Sequence, residues 1–381
     1  MFRSFPGVEP TPAGPARFRA LPEAFFEQTA PGPDSVGGRD ARLVHPILVD
    51  ACFAVAGADG RPTPCRRSSI SGDGTPLIYS FKAVAGAGPA GFRCVGEPGG
   101  FAIDTAAQIG AALAATDRIC AVLGWEKAAG LLRAAAADLL PADLVRCRRW
   151  WGGLWVGLDA EPDGVALKLY VNLRPLAAAE RWTRVARGFR RLGIDPARAR
   201  AVAGAFAEPM GACFVAAAGR IVGARLYLGL EHAGSDQVAA LCGGLVPLAD
   251  APVRDFCDLF TAEFGPFGRH SVAVAADFAV AAPGRAASPG AARAKAELCL
   301  ELLDEGDRRR ALAWFAGLGR RFGLNDAPCR AALPQAKRVF GGVEGQYVSL
   351  GAYRSGRLHA TAYVRPVGLR LPHGLAEEDP S

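Results

Sequence analysis

The sequence predicts an α+β protein in which a closed antiparallel barrel of ten strands is ringed by about ten helices. Helical and strand-like stretches alternate in a fixed order, two helices and then two strands, along almost the whole chain. The strand-like stretches alternate between apolar and polar residues, as strands do when they bury one face only. The helices are amphipathic and need an apolar partner, which the apolar strand faces can supply.

Five units of this kind can be read. The first and least regular has helices at 16–28 and 42–56 and strands at 77–82 and 92–97. The second has helices at 104–123 and 126–140 and strands at 150–158 and 165–173, joined by a Pro162-Asp163-Gly164 turn. The third has helices at 177–192 and 196–206, then strands at 212–217 and 221–230. Helices at 235–245 and 253–264 precede strands at 271–279 and 294–302. The last unit has helices at 307–322 and 327–339 and strands at 346–353 and 357–364. The boundaries expected are a tail over 1–15, one barrel domain over 16–368 and a second tail over 369–381, both tails mobile.

The strands also suggest how the units are arranged. Over 165–174, Leu167, Leu169, Val171 and Leu173 alternate with Lys168, Tyr170, Asn172 and Arg174. Over 224–231 the polar set is Arg225, Tyr227, Gly229 and Glu231; over 294–302 it is Lys295, Glu297, Cys299 and Glu301; over 357–365 it is Arg357, His359, Thr361, Tyr363 and Arg365. Such a sheet either leaves its polar face open to water or curls until that face lines a lumen. Closure removes the exposed edges and is the arrangement expected. Lys168, Arg225, Lys295 and Arg357 would then concentrate positive charge in a confined space suited to a polyanion such as a diphosphate. Tyr170 and Tyr227 each follow a cation by two residues, so a hydroxyl that can donate to phosphate lies beside a ring that can face a cation.

Other classes lack their residues. Half of the 381 residues are hydrophobic, which permits a large core, yet no run reaches the roughly 18 apolar residues of a spanning helix. A soluble, cytoplasmic chain without membrane contact is expected. The ten cysteines include no CxxC pair, so reduced thiols are expected and the usual zinc spacings are missing. The net charge of +7 invites a nucleic-acid reading, but arginines are interspersed with acids along most of the chain and no lysine-rich block occurs, so no nucleic-acid partner is expected. A match to GxGxxG at Gly86, Gly88 and Gly91 joins two strands and reads as a hairpin loop. There is no GxxxxGK[ST] loop, DDxxD cluster, GxSxG elbow or HExxH helix.

Five such units, Lys168-x-Tyr170, Arg225-x-Tyr227 and a tyrosine-bearing closing hairpin (Tyr347, Tyr363) resemble the ABBA-type aromatic prenyltransferases, in their indole (dimethylallyltryptophan synthase-like) and cyanobactin peptide branch. The resemblance covers residues 40–368. It implies the ABBA (PT) barrel and transfer of a dimethylallyl or longer group from an isoprenoid diphosphate to a small aromatic or peptide acceptor. No cofactor or magnesium would be needed. Arg93, Lys168, Tyr170, Arg225, Tyr227 and Tyr363 would bind the diphosphate and shield the allylic cation, with Lys295 in the same set and Arg357 beside them. The family usually carries a glutamate on the first hairpin that bonds the acceptor and takes its proton; Ile78 stands there instead. Asp73, Glu97, Glu231 and Glu297 are candidate substitutes, Glu297 first because it shares the face of Lys295. Gly223 replaces a further cation of many members. Ile78, Trp151 and Trp155 would line an acceptor pocket, although the two tryptophans fit equally a place in the core under the helices. A barrel that binds an isoprenoid or other anion without turnover is the alternative that Ile78 favours.

Overall fold

The computed structural model describes residues 15–53, 70, 75–86, 91–99, 105–141, 153–204, 207–230, 234–245, 250–280, 295–353 and 356–369. The first unit is α1 (Pro15–Thr29), α2 (Val36–Phe53), β1 (Leu77–Ala85) and β2 (Phe92–Gly96). The second is α3 (Thr105–Val122), α4 (Glu126–Leu139), β3 (Leu154–Glu161) and β4 (Gly164–Asn172). The third is α5 (Ala178–Arg191), α6 (Ala197–Ala203), β5 (Ala207–Ala217) and β6 (Arg220–Leu230). The fourth is α7 (Ser235–Leu245), α8 (Asp250–Phe264), β7 (Ser271–Ala279) and β8 (Lys295–Glu301). The fifth is α9 (Glu305–Arg321), a two-residue strand β9 (Leu324–Asn325), α10 (Ala327–Phe340), β10 (Val343–Tyr353) and β11 (Leu358–Pro366). The expected tails lie outside the described residues except at their inner ends, where Pro15 opens α1 and Leu369 is buried. Gly86 and Gly91 flank a strand-to-strand connection, as expected of a loop rather than a nucleotide fingerprint.

Neighbouring strands pair antiparallel in the order β11-β10-β8-β7-β6-β5-β4-β3-β2-β1, and β1 closes the ring on β11, from Tyr79↔Val364 to Val84↔His359. The polar face is therefore a lumen. Each strand sends its apolar alternates outward: Leu154, Val156 and Leu158 on β3, Leu167, Leu169 and Val171 on β4, and Leu298 and Leu300 on β8 are buried against the helices. Phe189 of α5 meets Phe214 of β5 edge-on at 6.1 Å. At about 25 cal/mol per Å² of apolar area, this annular layer is the main favourable term in folding. In the β5–β6 hairpin, Ala218 and Gly219 both take positive φ, the conformation a two-residue turn between twisted strands requires.

One boundary differs from the reading in a way that matters. β3 was expected to end at 158 but runs to Glu161, because the Pro162-Asp163 turn holds pairing as far as Glu161↔Gly164. Asp159 thereby joins the inward face.

Candidate active site

β2, β4, β6, β8 and β11 run in one direction and the strands between them in the other. Two residues further along β4, β6 or β8 is thus one level nearer the same mouth, and the lumen can be described by level.

The lowest level considered is charged. Lys168 Nζ donates to Asp159 Oδ2 at 2.5 Å, and Arg93 Nη2 donates to Glu161 Oε1 at 2.7 Å, with its Nε 3.9 Å from Asp159. Burial alone raises the Asp159 carboxyl, but Lys168, Arg93 and Lys82 outweigh it and hold the group far below the ordinary carboxylate range. On the other side Arg225 grips Asp277 through two bonds, 2.5 and 3.1 Å, and donates to Glu297 Oε2 at 3.3 Å. Burial opposes the Arg225 charge, but Asp277, Tyr227 and Glu297 keep it firmly protonated. Glu297 is only 1% exposed; Ser349 Oγ donates to it at 2.5 Å and His359 Nε2 stands 3.8 Å away. The interior is therefore not the basic one expected. Lys168, Arg93 and Arg225 each face a carboxylate, because Asp159 and Asp277 were left out of the alternation read from the sequence.

The next level is aromatic. Tyr170 and Tyr227, two residues beyond Lys168 and Arg225, bring their rings to 6.3 Å, and the Arg225 guanidinium lies 5.8 Å from the Tyr227 ring centre. Tyr363 meets Tyr347 edge-on at 5.9 Å. Burial raises all four hydroxyls well above their ordinary range, so they are neutral donors at any working pH. Cys213 lies between Tyr170 and Arg225 in register, its thiol pushed up to about 12 by burial.

The strand partners of the tyrosines form a mouth. Trp155 is half-buried and stands across β3–β4 from Tyr170, so it faces the lumen rather than the helices. Ile78, four residues from Lys82 on β1, faces inward at 3% exposure. Glu301, four beyond Glu297 on β8, accepts from Tyr347 Oη and from Gln346 Nε2, each at 3.1 Å. Arg174, just past β4, reaches across to Ser271 of β7 at 2.8 Å, and Ser271 is the register partner of Glu301.

Other expected positions resolve differently. Arg357 precedes β11 and is exposed, so it sits at the rim instead of on the inward strand face; the strand begins one residue later, at Leu358. Lys295 opens β8, but its side chain, Trp151, Asp73 and Glu231 lie outside the described residues. Glu97 is buried just beyond β2. The glycine at 223 is structural: a Cβ there would come within 2.8 Å of the Phe278 carbonyl oxygen, beside the bulge between Val215 and Ala216. Arg187, Arg190, Arg191 and Arg200 are exposed, Arg191 paired with Asp138 at 2.5 Å.

A cavity of about 280 Å³ opens where β1 and β2 part company. Their pairing spans only Leu77↔Gly96 to Tyr79↔Cys94, and β9 takes the place beside Val84 and Ala85. Lys82, Arg93 and Arg357 line it together with Tyr79 and Gln335.

No protein-family model matches the sequence, and no curated protein matches it. Solved structures do match in shape. The 6-dimethylallyltryptophan synthase from Micromonospora olivasterospora, solved with DMASPP and Trp, superposes with a TM-score of 0.68 at 17% identity over 94% of this chain and 99% of that one. The 5-dimethylallyltryptophan synthase from Streptomyces coelicolor gives 0.67 at 20% identity, covering 94% and 97%. Prenyltransferase PriB with product diphosphate gives 0.66 at 19% identity, covering 96% and 99%. With ten strands closed in the same way over nearly the full length of each neighbour, this chain has the fold of the ABBA aromatic prenyltransferases.

Proposed function

We propose that the chain is a prenyltransferase that moves a dimethylallyl or longer group from an isoprenoid diphosphate to an electron-rich acceptor, with no requirement for magnesium. The observation that carries this reading is the repeated step from cation to tyrosine on β4 and β6, with the two rings 6.3 Å apart. Diphosphate oxygens accept from Lys168, Arg225, Arg93 and the neutral tyrosine hydroxyls, with Lys295 and Arg357 toward the lower end. The C1–O bond breaks and its electron pair leaves with the diphosphate. Tyr170, Tyr227 and Tyr363 present ring faces to the allylic cation and exclude water. The acceptor donates an electron pair to C1 and then loses a proton.

That acceptor sits in the mouth between Ile78 and Trp155. Of the two inward carboxylates on β8, Glu297 is engaged by Arg225, whereas Glu301 lies four residues further along the strand and is held by Tyr347. Glu301 is the better placed proton acceptor, with Glu297 acting on the donor side. The DMASPP and Trp with which the Micromonospora neighbour was solved support an indole acceptor; a tyrosine phenol, free or in a peptide, is the other electron-rich candidate.

The test is mass spectrometry with dimethylallyl, geranyl and farnesyl diphosphates, each offered to tryptophan, tyrosine and short peptides in EDTA. A gain of one prenyl unit, lost in Lys168→Ala, supports the reading. Tight diphosphate binding without product with any pair would favour a non-catalytic barrel, a reading that the apolar Ile78 wall keeps open.

A further inference from the structure

We infer that Asp159 and Asp277 are internal counter-anions of the donor site: they hold Lys168 and Arg225 in place while it is empty, and give them up when a diphosphate binds, Asp159 taking a proton as it is released. This deepens the proposed function and rests on the reading of the lumen as a diphosphate site.

The geometry carries the inference. The two cations best placed for phosphate oxygens are each committed to an aspartate on the neighbouring strand, Lys168 to Asp159 at 2.5 Å and Arg225 to Asp277 at 2.5 and 3.1 Å. Both aspartates are inward-facing and partly buried at the level of the cations, with side-chain exposures of 18% and 25%. An arriving diphosphate competes with these carboxylates for the same N–H donors, and its own charge repels them. An ammonium such as Lys168 is a compact donor group that follows the stronger anion, whereas the forked guanidinium of Arg225 can keep one edge on a carboxylate. Asp277 and Glu297 share Arg225, so the loss at Asp277 is partial. Asp159 loses more.

The groups facing Asp159 are Lys168 and Tyr170 from β4, Arg93 and Cys94 from β2, Cys213 from β5 and Lys82 from β1, with Glu161 of its own strand sharing Arg93. In the empty site the cations keep it ionised. With Lys168 and Arg93 turned to a diphosphate, burial and like charge both act to raise its pKa toward neutrality. Binding then consumes a proton, so affinity for the donor rises as pH falls. The exchange keeps the cations oriented in the absence of ligand, and it weakens the hold on product diphosphate after the carbon–oxygen bond has broken.

The experiment is calorimetric titration of the full chain with inorganic diphosphate and with dimethylallyl diphosphate, for the wild type, Asp159→Asn, Asp277→Asn and Lys168→Gln. Both asparagine variants are expected to bind inorganic diphosphate about tenfold more tightly or better, the scale of one hydrogen bond to a charged group, and Lys168→Gln to bind it more weakly. Asp159→Asn should show the larger gain and less proton uptake than the wild type in paired buffers, a comparison in which the ligand's own protons cancel. An Asp159→Asn chain that binds diphosphate no better than the wild type, with unchanged proton uptake, overturns the inference while leaving the prenyl-transfer reading intact. Absence of diphosphate binding by every variant, with no prenylated product, overturns both. Should the asparagine variants fail to fold, carbon NMR of side-chain-labelled aspartate in the wild type decides: a carboxyl signal that moves toward the protonated position on adding inorganic diphosphate supports the exchange, and unmoved carboxyl signals reject it.

Discussion

The two faces of the barrel wall treat a buried basic side chain in opposite ways, Arg225 inside and His45 outside. Inside, Arg225 and Asp159 stay charged because each meets opposite charge at hydrogen-bonding distance, Arg225 at Asp277 and Glu297 and Asp159 at Lys168. Outside, under the helices, burial wins: His45 is 1% exposed, stacked on Phe26 at 4.5 Å, and neither ring nitrogen has a hydrogen-bond partner among the described residues. Its pKa falls to about 3 through desolvation, so it is a neutral ring filling space. Charge survives burial only where the fold brings a partner: Asp277 and Glu297 do this for Arg225, and among the described residues no such group reaches His45.

The hardest way to break that contrast is Arg225→Ala. It strips the donor site of a cation and leaves Asp277 and Glu297 without it, so kcat/KM for prenyl transfer should fall about 10³-fold. Stability should drop by roughly 3–5 kcal/mol, the cost of breaking a buried pair from one side; steady-state kinetics and urea unfolding check the two parts.

The outer layer predicts a pH effect. For His45 the folded pKa, about 3, lies below the unfolded value of 6.5, so the unfolded chain binds the proton that the folded one refuses. The stability present above pH 6.5 should decline as pH falls toward 3, by about 1.4 kcal/mol per unit from this group. His45→Phe should flatten that limb between pH 6 and 4. An unchanged slope would mean that other groups set it. Asp159 acts in the same sense but at lower pH: with a depressed folded pKa, its contribution is full above the ordinary carboxylate pKa and is lost as pH falls below it.

At the mouth, Glu301→Gln keeps the bond from Tyr347 but removes the proton acceptor. Turnover should fall about 10²-fold, the lower range for general base catalysis, with donor affinity unchanged by calorimetry. Equal activity in the variant would return the role to Glu297. The smallest effect is expected from Tyr170→Phe, which keeps the ring facing the cation and loses one hydroxyl: a few-fold weaker donor binding, or about 1 kcal/mol, with kcat nearly retained.

Most of the fold was legible because alternation and helical spacing are local. The period-two pattern in 165–174 states which residues face the helices, whatever closes the sheet. Lys168, Tyr170, Arg225 and Tyr227 were legible for the same reason, each on the polar side of a clean alternation. Asp159 was missed because the second unit's first strand was read three residues short. Asp277 lies in Ser271–Ala279, a strand whose many alanines blur the contrast between faces. Glu301 was read as inward, but its place beside Tyr347 follows from the register between β8 and β10. Arg357 was misplaced because a strand start is set by pairing with a neighbour, not by the residue itself.

Taken by itself, the sequence determined the five-unit order, the apolar and polar faces of the strands, and the residue types available to a lumen, since these depend on spacing along one chain. Only the tertiary structure decided which charges meet. Asp159 and Lys168 are nine residues apart and Arg225 and Asp277 fifty-two, and they pair because register sets β3 against β4 and β6 against β7. Ring closure then fixes which of those pairs share a level, and so turns a face that reads as basic into a charge-matched interior beneath a shell of tyrosines.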